Sequence, residues 1–127
     1  MQDLLERTMA FGLDVIHLVN GISDYRVAAR AITGQLVRCA TSVASNYRAA
    51  RRAKSAIDFL YKLKLVEEEA DESQGWLFML VRSEICDSAE AKRLLGESGE
   101  LTAIFSASVI TQKRKLRSSP IRRTRRA

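Results

Sequence analysis

Leu4, Thr8, Phe11, Val15, Leu18 and Ile22 recur in alternating steps of four and three residues, with mostly polar side chains between them. That spacing puts them on one helical stripe and predicts an amphipathic helix over about residues 3 to 20, ended by Gly21. Ile32, Leu36, Cys39, Val43, Asn46 or Tyr47, and Ala50 form a second stripe, predicting a helix over about 24 to 53 with Ser23 or Asp24 as its N-cap. Small residues crowd its other faces: Ala28, Ala31, Ala40, Thr41, Ser42, Ala44, Ser45 and Ala49. They allow close approach either by another helix of the same chain or by a second subunit.

Ser55 followed by Asp58 has the spacing of a capping box and starts a third helix, carried to about residue 83 by Phe59, Leu60, Leu63, Val66, Ala70, Leu77, Leu80 and Val81. Gly75 weakens that helix by about 1 kcal/mol relative to alanine, but no proline interrupts it. Asp87 and Glu90 repeat the capping signature, and Leu94, Ser98, Leu101, Phe105, Ser108 and Gln112 continue in fours and threes. Four amphipathic helices with short connections predict an all-α fold, an antiparallel up-down-up-down four-helix bundle over residues 1–112.

The chain has 127 residues and a net charge of +6, and the location of the charge changes its meaning. From Lys113 onward KRKLRSSPIRRTRRA has eight basic residues and no acid, whereas residues 1–112 hold 13 basic against 15 acidic. Residues 113–127 are therefore expected to form a basic, disordered tail. A second basic group, Arg48, Arg51, Arg52, Lys54, Lys62 and Lys64, surrounds the predicted hairpin with only Asp58 against it.

No run approaches the ~18 apolar residues of a membrane span, and MQDLLER lacks the basic start of a secretory leader, so a cytoplasmic protein is expected. Cys39 and Cys86 have no metal-binding or redox spacing and are expected to stay reduced. Enzyme chemistry is not expected: His17 is the only histidine, which removes His-based triads and multi-histidine sites. Glu67, Glu68, Glu69, Asp71 and Glu72 lack the Glu-x-x-His partners of a di-iron bundle, and no glycine-rich phosphate loop occurs. Neither a metal nor an organic cofactor is expected.

If the second and third helices pair about the turn near Ser55, residues whose numbers sum to about 110 lie at equal height. Arg38 then faces Glu72, and a buried ion pair is expected there, with Asp71 or Glu68 as the alternative acid. Asn46, in the core stripe near Lys64, is expected to hydrogen-bond within the core and set register.

The stretch QLVRCATSVASNYRAARRAKSAIDFLYKLKLVEEEADES resembles the bacterial four-helix-bundle family encoded in intervening sequences of 23S rRNA genes. The shared pattern falls on Gln35, Leu36, Arg38, Cys39, Ala40, Ser42, Val43 and Asn46, followed by Phe59, Leu60 and Glu72, and the resemblance spans about residues 4 to 112. Many members carry Glu-Gly after the Asn, where this chain has Arg48 and Ala49, so no role tied to that pair carries over. The resemblance implies a homo-oligomer, because related accessory proteins of diversity-generating retroelements are homopentamers that bind a reverse transcriptase and nucleic acid.

Two readings follow. In the first, an oligomeric, non-enzymatic bundle binds RNA or DNA phosphates through Arg48, Arg51, Arg52, Lys54, Lys62, Lys64, Lys113, Arg114 and Lys115, with Tyr47 and Tyr61 as the nearby aromatic residues. In the second, the chain is a structural or protein-interaction module and its cations are a solvated helix end that complements the helix dipoles.

Overall fold

The computed structural model describes residues 3–118. Its four helices are α1 (Leu4–Asn20), α2 (Val27–Ala50), α3 (Ala56–Arg82) and α4 (Ala89–Arg117), and each packs on its neighbours in chain order with α4 returning beside α1. The result is an all-α four-helix bundle. Among the described residues no helix is long and apolar enough to cross a membrane.

Three of the four helices start where a side chain takes amide groups left free in the first turn. Asp3 accepts from the amides of Leu5 and Glu6, Ser55 from Asp58, and Ser88 from Ala91. Ser88, not the expected Asp87, caps α4. The start of α2 also departs from expectation: Arg26 occupies the N-cap without a side-chain bond, and Asp24 instead holds the Arg26 amide at 3.0 Å and its guanidinium at 2.6 Å. Between α3 and α4 the chain turns through Glu84 in the left-handed region, at φ 65°.

The predicted stripes form the core, with Phe11, Val15, Leu36, Val43, Leu63, Val66, Leu77, Leu80, Leu94, Leu101 and Phe105 fully or almost fully buried. In α4 the stripe passes from Phe105 to Val109 and Gln112, while Ser108 is only partly buried. A straight helix drifts by about 20° per heptad from a strict four-three repeat, and over two to three heptads this reaches roughly half of the 100° between neighbouring residues, enough to favour Val109 over Ser108. The small residues of α2 divide between two surfaces. Ala29, Ala40 and Ala44 are buried, and Gly12 of α1 lies so near α2 that a Cβ there would be 3.5 Å from the Ala40 carbonyl. Ala28, Ala31 and Ser45 stay exposed.

The helix lengths are unequal, and this shapes one end of the molecule. α1 has 17 residues and α4 has 29, about 25 and 44 Å at 1.5 Å per residue. α4 does not stop at Gln112, where the tail was expected to begin. It continues through Lys113, Arg114 and Lys115 to Arg117, because lysine, arginine and leucine are good helix formers and cations suit a helix C-terminus. Expectations for residues 119–127 fall outside the described residues.

Candidate nucleic-acid interface

The α2–α3 hairpin is organised by its one acid. Ser55 accepts from the Asp58 amide at 3.0 Å, and Asp58 accepts from the Lys54 amide at 3.0 Å and from the Lys62 ammonium at 2.8 Å. The Lys62 hydrogen bond, aided by that of the Lys54 amide, holds the Asp58 carboxyl below its ordinary range. Lys62 is thus neutralised within its own helix and does not belong to a free basic surface. Arg48, Arg51, Arg52, Lys54 and Lys64 are exposed, and among the described residues none of them lies in an ion pair.

The second basic cluster arrives at the same place from the other end of the sequence. Gln112 donates from Nε2 to the carbonyl of Ala56, the first residue of α3, at 3.3 Å. The last residues of α4 therefore extend past the start of α3, beside the hairpin. Lys113, Arg114, Lys115 and Arg117 are all exposed there. Asp3 directs its carboxylate to the amides of Leu5 and Glu6, at 2.6 and 3.4 Å. One end of the bundle thus gathers two groups of cations that lie about fifty residues apart in sequence.

Because α1 begins low on this end, an open groove of about 290 Å³ separates α2 and α3 from α4, with Leu4 at its foot. Tyr47, Phe59 and Leu63 form its apolar wall, Ser108 and Thr111 face them, and Lys115 stands at the rim. Phe59 also lines an adjoining notch with Arg51 and Lys54. Tyr47 is 8% exposed and its ring leans on Phe105, 5.4 Å between centroids. Tyr61 points into solvent, 61% exposed, and lines neither opening.

The expected polar core is found in altered form. Arg38 does pair with Glu72, at 2.5 Å, but the two side chains are 50% and 40% exposed, so the pair is a surface bridge between α2 and α3. Neither Asp71 nor Glu68 is the second acid; Glu69 is, 3.5 Å from Arg38. Asn46 is partly buried rather than in the core, while Tyr47 fills that position. The α2 stripe turns by 100° per residue, so only one of the two neighbours could face inward.

Among the described residues the nearest approach to a metal-ligand set is Cys39, Glu69 and Glu72, whose ligating atoms lie within 4.8 Å of one another. Arg38 already supplies positive charge at that point. Burial pushes the Cys39 thiol up, which favours its protonated form, and it donates to the Leu36 carbonyl at 3.4 Å while accepting from Ser73 at 3.3 Å. Arg7 reaches Glu97 at 2.7 Å and Glu100 at 3.4 Å, and Arg93 reaches Asp14 at 2.8 Å and Glu90 at 2.6 Å. Hydrogen bonds donated to these carboxylates raise the pKa of both arginines. His17 lies exposed in the last turn of α1.

Arg117 and the groove residues Phe59 and Thr111 were not singled out by sequence reasoning for this end. Leu116, four residues beyond Gln112 in an unbroken run of helix formers, was the available signal for Arg117. The groove had none, since it arises from the unequal reach of α1 and α4.

Comparison with known proteins agrees with the architecture. A crystal structure from Bacteroides thetaiotaomicron, described as a protein of unknown function from the S23 ribosomal protein family, superposes with a TM-score of 0.74 at 23% identity. The match covers 84% of this chain and 98% of that one, and at this identity it speaks for the fold. A search of curated proteins returns no match. The sequence profile of the 23S rRNA-intervening sequence proteins matches residues 2–107, and the chain belongs to that family.

Proposed function

We propose that this chain is a non-enzymatic, oligomeric bundle that binds RNA or DNA by its phosphates through the hairpin end. The observation that carries the reading is the convergence of Arg48, Arg51, Arg52 and Lys54 with Lys113, Arg114, Lys115 and Arg117 on one end, all exposed. A dense set of unopposed cations attracts a polyanion and releases its counterions on binding. Fluorescence anisotropy with labelled RNA and duplex DNA over a salt series tests it. Binding at low salt that weakens steeply as salt rises is expected, and absence of binding at low salt would end the proposal.

A second reading, a structural or protein-interaction module, draws on a different observation. At the opposite end Tyr25, Val27, Phe78 and Met79 are large apolar side chains left half or more exposed, and such groups mark subunit contacts when they are contiguous. Light scattering at micromolar concentration tests the oligomer, for which a pentamer is expected; a monomer would remove it. In a pentamer five basic ends would act together and gain avidity without stronger single contacts.

A further inference from the structure

We infer that the groove beside the basic end receives an unpaired nucleobase, so that the ligand of this end is single-stranded nucleic acid. The inference rests on the phosphate-binding reading above and names what lies between the phosphates.

Three features carry it. The first is shape: the groove, about 290 Å³ and open to solvent, presents the partly exposed ring of Phe59, backed by the buried side chains of Tyr47 and Leu63. A base has apolar faces and polar edges, and stacking on such a wall is available to every base. The second is charge. Lys115 stands at the rim, and Arg51 and Lys54 line the notch that shares Phe59, so cations flank the apolar wall where the phosphates next to an inserted base would lie. The third is that, among the described residues, no helix covers the groove. α1 starts at Leu4, at the foot of the groove, while α4 continues to Arg117.

A duplex keeps its bases stacked inside and cannot use this groove without unpairing, whereas a single strand offers splayed bases. An acidic amphipathic helix is the other occupant of suitable charge. It docks through a stripe of anchors over several turns, and an apolar wall of three side chains is too short for one.

Anisotropy with the full-length chain at low salt tests the inference, using a single-stranded RNA of about twenty nucleotides and an abasic oligonucleotide of the same length and charge. Wild type should bind the base-bearing strand about tenfold more tightly. Thr111→Trp, which fills the groove from its exposed side, and Phe59→Leu, which removes the ring but keeps apolar volume, should each erase most of that difference. Both should leave abasic binding unchanged, and thermal melting verifies that each is folded. Equal binding of the two probes by wild type overturns the inference and leaves phosphate binding standing. A preference that survives in both variants places the base elsewhere and also overturns it. Displacement of the RNA from wild type but not from Thr111→Trp by an acidic amphipathic peptide gives the groove to a protein partner instead. If neither probe binds, both this inference and the proposed function fail.

Discussion

Around the middle of the bundle Arg7, Arg38 and Arg93 lie against carboxylates of a neighbouring helix. At the hairpin end Arg48, Arg51, Arg52 and Lys54, together with Lys113, Arg114, Lys115 and Arg117, are exposed and lie in no ion pair among the described residues. The middle cations tie α1 to α4 and α2 to α3, so their charge is answered within the fold. The end cations repel one another and contribute little to folding beyond complementing the C-terminal carbonyls of α2 and α4. Charge that the fold does not use is the charge available to a ligand.

The largest effect should come from neutralising that end. Changing Arg51, Arg52, Lys54, Lys113, Arg114 and Lys115 together to Gln should lower nucleic-acid affinity on the order of a thousandfold at low salt and flatten the salt dependence. The unfolding midpoint should stay or rise, because repulsion is removed. Anisotropy over a salt series and a thermal melt read both. A large fall in stability would mean that these cations are structural, which would erase the contrast with the middle.

The middle should answer in stability. Phe105 is fully buried and touches Tyr47, so Phe105→Ala should cost about 3 to 5 kcal/mol in denaturant unfolding. Arg7→Met is a milder probe. It leaves Glu97, whose side chain is 19% exposed, without its main partner, and should cost on the order of 1 kcal/mol. The corresponding change at the end, Arg52→Met, should fall within about 0.5 kcal/mol.

The contrast was partly legible in the sequence. Hydrophobic spacing placed all four helices, and the sum of 110 paired Arg38 with Glu72. Burial of that pair was not legible, because it depends on whether a third helix covers the α2–α3 seam, and among the described residues none does. The two basic clusters could be seen as clusters, but their meeting required α4 to continue past Gln112, which the polar run KRKLR concealed. Asn46 was misplaced for a simpler reason: it and Tyr47 compete for one inward position, and the larger apolar ring takes it.

The smallest predicted effects separate two carboxylates within the middle itself. The hydrogen bond from Arg7 holds the Glu97 carboxyl below its ordinary range. Its stabilisation is therefore fully present above the unfolded value, about 4.3, and is lost as pH falls through the lower folded value. Glu69 is shifted the other way. Burial raises its pKa although Arg38 opposes the shift, and its Oε2 is enclosed without a hydrogen bond. Its charge burdens the fold above the raised folded value, and that burden is relieved as pH falls through it towards the unfolded value. Glu97→Gln should thus destabilise at pH 7 by up to about 1 kcal/mol, whereas Glu69→Gln should stabilise by a few tenths. Both differences should shrink at a pH well below 4, where the carboxylates are protonated in both states. Denaturant midpoints at pH 7 and pH 3 decide it. If Glu69→Gln destabilises as much as Glu97→Gln, then Arg38 answers Glu69 as fully as Arg7 answers Glu97, and the middle of the bundle is more uniformly paired than its geometry indicates.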